Sequence, residues 1–148
     1  MRSGLSCGSA DGCTAASLYC GINGSVVDCS AVGIAGELES LDLSGIPDPP
    51  TELTLRGNGI TGLSGSFIKG GASLLEIDAS WNAITSVASG AFAGTPSVRS
   101  VDIQNNTDLT SLPGQTFKVL TELDTLLLDE DLQCNAGARL CSGPWAGV

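Results

Sequence analysis

The sequence contains no histidine. That removes the side chain most often used as a general base and as a metal ligand near neutral pH. Basic residues are scarce: six Lys and Arg stand against sixteen Asp and Glu, for a formal charge of −10. A chain of that sign repels nucleic-acid phosphates and anionic lipid headgroups, so neither is expected as a partner. Long apolar runs are missing too. The longest aliphatic run, Leu126-Leu127-Leu128, is far short of a membrane span, so no membrane insertion is expected. Charged residues make up only 15% and mean hydropathy is positive, the wrong balance for a disordered acidic tail. At 148 residues the chain fits one domain with a modest core. No apolar h-region follows Met1, so the chain reads as a mature form, a fragment or an incompletely known sequence.

Cysteine is absent from the long middle of the chain and present at both ends. Cys7, Cys13, Cys20 and Cys29 lie near the start, Cys134 and Cys141 near the end. The gaps are too wide for the tight pairs of a zinc site, and no histidine completes one, so no metal is expected. An even set of six reads as disulfides and places the protein outside the reducing cytosol. The cysteine-free stretch makes Cys134–Cys141 the local bridge and leaves three pairings open for the first four. Asn23-Gly24-Ser25 and Asn105-Asn106-Thr107 are glycosylation sequons, as expected on a secretory route.

The middle is a repeat. Leu53-x-Leu55-x-x-Asn58-x-Ile60 returns as Ile77-x-Ala79-x-x-Asn82-x-Ile84 and as Val101-x-Ile103-x-x-Asn106, with the asparagines at 24-residue intervals. A fourth copy, Leu126-x-Leu128-x-x-Asp131, follows 25 residues later, and Val27-x-Cys29-x-x-Val32-x-Ile34 fits the same frame as an edge strand. The second halves repeat as well: Ile84, Val87, Phe92 and Val98 match Leu109, Leu112, Phe117 and Leu123. Alternation around Leu53 and Leu55 gives a short strand with two inward side chains. One such coil cannot bury its apolar face alone, so the stack needs caps at both ends.

These residues resemble the extracellular leucine-rich repeat family, in its typical 24-residue form. The resemblance implies an α/β solenoid: a short, right-handed, curved solenoid with a parallel β-sheet on the concave side and disulfide-capped ends. It implies a ladder of Asn58, Asn82 and Asn106, whose amides bond backbone groups of adjacent coils, and a convex filling of Phe67, Phe92 and Phe117. Val27-Asp28-Cys29-Ser30 and Ile46-Pro47-Asp48-Pro49-Pro50 resemble the family's N-terminal cap, where the pairing would be Cys7–Cys20 and Cys13–Cys29. The expected divisions are a cap over 1–50, repeats over 51–133 and a short C-terminal cap over 134–148. Ala79 replaces a core leucine, Asp131 replaces a ladder asparagine, and residues 35–46 are an extra turn or a short helix.

The outward positions fall into columns: Asp28, Thr54, Asp78, Asp102 and Leu127; Ser30, Arg56, Ser80, Gln104 and Asp129; Glu52, Glu76, Ser100 and Thr125; and Gly57, Trp81, Asn105 and Glu130. Strands are about 4.8 Å apart, so Asp78 and Asp102 are like-charged neighbours. Such a face suits a basic partner or a solvated acidic surface. Calcium is set aside because a hard cation wants six or more oxygens. Trp81 is the sharper signal, since exposed aromatics mark binding hot spots; the bland alternative is that it folds over the gap at Ala79. The candidate binding residues are Arg56, Asp78, Ser80, Trp81, Asp102, Gln104, Leu127 and Asp129. The candidate glycosylation sites are Asn23 and Asn105.

Catalysis is not expected. Glu76 and Asp78 lie on one face about 7 Å apart, but an open sheet offers no water-excluding pocket to tune them. No cofactor is expected. The sequence thus points to a non-enzymatic extracellular recognition or adhesion module that binds protein or glycan through the concave face. The alternative is a structural subunit of a secreted, glycosylated assembly or filament, self-associating or docking through Pro144-Trp145.

Overall fold

The computed structural model describes residues 5–8, 12–113, 115–129 and 132–134. The chain opens with β1 (Leu5–Cys7) and β2 (Cys13–Thr14), then forms a hairpin of β3 (Gly21–Asn23) and β4 (Val26–Asp28). The hairpin turns on Gly24 and Ser25, with Gly24 at φ 60°. Glycine leading a two-residue loop is the arrangement of a type II′ turn, whose twist matches the flanking strands.

From β4 onward the chain coils. The first coil adds β5 (Ile34–Leu38) and β6 (Leu41–Asp42). The second is β7 (Glu52–Thr54), β8 (Gly59–Leu63) and β9 (Ile68–Lys69). The third and fourth are β10 (Glu76–Asp78) with β11 (Ser86–Val87), and β12 (Ser100–Asp102) with β13 (Ser111–Leu112). The fifth is β14 (Thr125–Leu127) and β15 (Gln133–Cys134). These coils make a parallel-stranded β-solenoid of about five turns.

The strands stack into separate sheets on three sides. One sheet runs β14-β12-β10-β7-β4-β3, another β1-β5-β8-β11, a third β2-β6-β9, with β13 paired to β15. Every pairing is parallel except β3 with β4. The register matches the repeat: Val27, Leu53, Ile77, Val101 and Leu126 stand side by side. β4 is nevertheless not the edge strand that the sequence suggested, because β3 lies beyond it.

Two expectations are corrected here. The described residues contain no helix, so the α/β class is replaced by an all-β coil, and residues 35–46 form strands rather than a helix. The far side of the third and fourth coils is built from four-residue turns, such as Ala91 N–H to Ala88 carbonyl at 3.0 Å and Thr95 to Phe92 at 3.1 Å. Gly90, Gly94 and Pro96 interrupt them before a helix can nucleate. The second correction is the disulfide pairing. Cys7 bonds Cys13 and Cys20 bonds Cys29, with Cα separations of 5.2 and 4.5 Å. Cys7 and Cys13 follow one another along a single partial coil of β1 and β2, while Cys20 flanks β3 and faces the end of β4. The pairing of near neighbours follows from that path. Cys141 and the proposed Cys134–Cys141 bridge lie outside the described residues, as do Asp131, Pro144 and Trp145.

The core is one continuous column. Phe67, Phe92 and Phe117 are all buried, with ring centroids 5.9 and then 5.3 Å apart. Leu55, Ala79 and Ile103, two residues beyond Leu53, Ile77 and Val101, are buried as well. At the coil edge the asparagine ladder closes the backbone. Asn58 Oδ1 accepts the N–H groups of Val32, Gly33 and Ile34 at 3.1, 3.0 and 3.1 Å. Asn82 Oδ1 accepts Ile60 N–H at 3.1 Å, and Asn106 Oδ1 accepts Ile84 N–H at 3.0 Å. Their Nδ2 groups donate to carbonyls of their own coil and the coil before, as Asn106 does to Ile103 at 3.0 Å and Ala79 at 3.2 Å. Polar groups that a stack of turns would strand are thereby satisfied.

Candidate functional site

The outer face of the six-stranded sheet carries the residues expected from the sequence columns. Asp28 is in register with Thr54, Thr54 with Asp78, Asp78 with Asp102, and Asp102 with Leu127. Glu52, Glu76, Ser100 and Thr125 form the adjacent row. Between the rows lies a shallow depression of about 280 Å³, lined by Glu52, Glu76, Asp78, Asp102 and the exposed Leu127.

Several of these carboxylates are already engaged. Asp78 Oδ1 accepts the Ser80 N–H at 2.9 Å and the Ser80 hydroxyl at 2.5 Å. Asp28 accepts the same two groups from Ser30, and Asp42 from Ser44. Asp102 accepts the Gln104 N–H at 2.9 Å. Each aspartate thus turns the chain out of its strand, as Asx residues do in turns. The paired donors of Ser30 and Ser44 hold the Asp28 and Asp42 carboxyls below their usual range. Asp102 moves the other way. Burial raises it first; the Gln104 bond opposes this, Asp78 and Asp129 add to the rise, and Arg56 opposes it.

Two candidates are corrected by these bonds. Ser80 is buried with its hydroxyl turned into Asp78, so it is not displayed on the face. Asp129 is committed to the backbone of the coil before it, accepting Asn105 N–H at 2.8 Å and Asn106 N–H at 3.1 Å. Gln104 presents its carbonyl to the Trp81 N–H at 3.1 Å. Asn23, at the hairpin tip, and Asn105 are both exposed.

Trp81 does not fold away. It is 53% exposed, and the Arg56 guanidinium carbon lies 5.8 Å from its ring centroid, within cation–π range. Its backbone is in the left-handed region, φ 56°. The same position is left-handed in the other coils where it is described: Ala31 at 50°, Gly57 at 74° and Asn105 at 58°. Each immediately precedes the ladder position. Glycine and asparagine occupy such a turn at little cost, and tryptophan does not. The sequence carries a partial signal for this, a Gly and an Asn in one column. It carries a plain one for the turns, since Asp-x-Ser recurs at Asp28, Asp42 and Asp78. Among the described residues no group of three or more Cys, Asp or Glu is placed to hold a metal ion.

A parallel solenoid with an asparagine ladder and a side-chain-bearing sheet face defines a class of repeat scaffold. Residues 51–107 match the family model described as Leucine rich repeat. None of the curated proteins compared with the chain matches it. Leucine-rich repeats generally mediate protein interactions and are typically non-enzymatic.

Proposed function

We propose that the chain is a non-enzymatic recognition or adhesion module, exposed outside the reducing cytosol, that binds a protein or glycan over the face of the six-stranded sheet. Trp81 carries the reading. A bulky aromatic is held half-exposed in a left-handed backbone that costs it stability, at a position its neighbouring coils fill with Gly57 and Asn105. The coil imposes the left-handed turn, so a bulky aromatic at a position that glycine or asparagine fills at less cost points to a task for the side chain. Arg56 stacks beside it and leaves Glu52, Glu76, Asp78 and Asp102 facing outward, so a basic protein surface is favoured over a neutral glycan. The two disulfides suit an oxidising compartment.

The test is a screen of the immobilised native chain against secreted proteins and glycans, with Trp81→Ala in parallel. Partners held by the native chain and weakened at least about tenfold in the variant, the loss of a hot-spot residue, support the reading. Partners held equally by both overturn it.

A further inference from the structure

The N-terminal end of the solenoid has an unfilled edge. β3 is the last strand of the six-stranded sheet, and among the described residues no strand pairs with its far side. In the hairpin Asn23 faces Val26 across the two-residue loop, Ile22 faces Val27 and Gly21 faces Asp28. The pair that flanks such a loop exchanges hydrogen bonds, and antiparallel pairs alternate. The N–H and C=O of Ile22 therefore point away from β4, towards the open edge.

The side chains there are apolar. Ile22 lies on the core side of the sheet, like its partner Val27, yet it is 48% exposed while Val27 is buried. Tyr19, three residues earlier in the chain, is 75% exposed. Beside Ile22 the end of the core shows as a depression of about 330 Å³ lined by Ala15, Ala16, Ile46 and Pro47. One carboxylate, Asp42, is on its rim, and Ser44 already binds it.

Charge selects the occupant. Two copies of a chain at −10 repel over most of their surface, so contact costs least where each is locally neutral. Residues 12–27, which include β3, Tyr19 and four of the nine residues lining the depression, carry no charged side chain. The longer neutral run, 79–98, belongs to the third coil, whose β10 pairs on both sides, and its exposed aromatic, Trp81, lies on the face already described. An edge strand is also self-complementary: laid against its twofold copy it pairs antiparallel, the isologous geometry of most homodimers.

We propose that two copies of this chain associate through β3, with Ile22 opposite Ile22 of the second copy, exchanging both backbone hydrogen bonds and closing the apolar depression. The pairing is short, so the dimer is weak, with dissociation in the micromolar range. A glycan on Asn23, one residue along, would block it.

The experiment measures the mass of unglycosylated protein by sedimentation from about 1 to about 300 μM, which spans that range. A mass rising from 14.9 kDa towards twice that value is expected. Ile22→Lys, a charge placed on the edge, should hold the mass at the monomer value. A native chain that stays monomeric throughout overturns the proposal, and so does a variant that associates as the native chain does. Should Ile22→Lys fail to fold, amide exchange on the native chain decides. Protection of the Ile22 N–H that increases with concentration supports the pairing; a doubled mass without it places the contact elsewhere and overturns it.

Discussion

Trp81 sits in a conformation that costs a residue with a Cβ roughly 1–2 kcal/mol, and the cost is separable from the side chain. Trp81→Ala removes the ring and keeps the strain; Trp81→Gly removes both. The glycine variant should therefore be the more stable of the two by about 1 kcal/mol, about 2–4 °C in Tm at this size, which calorimetry would read. Equal melting temperatures would mean that the left-handed turn is not strained. Asp102 permits a similar separation. Its carboxyl is raised by burial and by Asp78, so its charge opposes folding once pH exceeds the folded value, and the penalty is absent below the unfolded value. Asn at 102 keeps an acceptor for Gln104. Asp102→Asn should melt above the native chain at pH 7, with the gap closing as pH falls towards and below 3.8. A gap that persists in acid would rule out the charge as its cause.

At the scale of elements, the ladder and the glycine contacts are what keep coils in register. Asn106 is buried and binds Ile84, Ile103 and Ala79. Asn106→Ala strands those groups and should lower stability by about 2–4 kcal/mol, a sum of unsatisfied polar groups, as measured by denaturant unfolding. Gly70 has φ 72°, and a Cβ there would lie 2.5 Å from the Ser44 nitrogen of the coil before. Gly70→Ala should cost at least about 2 kcal/mol by strain and overlap together. A loss below half that figure would show that the coils separate easily on that side. The disulfides are testable at this scale too. Cleavage before Asp11 and Asp28 and after Tyr19, without reduction, should leave the Cys7 peptide joined to the Cys13 peptide and the Cys20 peptide joined to the Cys29 peptide. Recovery of a Cys7–Cys20 linkage would restore the pairing that the family resemblance implies.

For the whole molecule, the coil was legible in the sequence because its period is written three times, in Leu53, Ile77 and Val101 and in Asn58, Asn82 and Asn106. The sheet face followed, since period-2 alternation fixes which side chains point outward. Less was legible where position alone does not set conformation. Nothing in Asp129 distinguishes an exposed carboxylate from one that caps the Asn105 and Asn106 amides across 24 residues of chain. Nothing in residues 35–46 announced strands, because β5 and β6 are strands only by virtue of neighbours on both sides. The cysteine pairing depended on the path of β1 through β3, which breaks the repeat and so lay beyond its reach.

That break in the repeat also governs how large an object the chain can build. Coils stacked in parallel have a front and a back, and such units can polymerise without limit when each end accepts the other. Here β3 runs against the grain of its sheet. An incoming parallel coil must match all three sides at once, and on one side it meets a strand of opposite sense. Head-to-tail growth therefore terminates at this end, and contact through β3 yields a closed pair instead of a fibre.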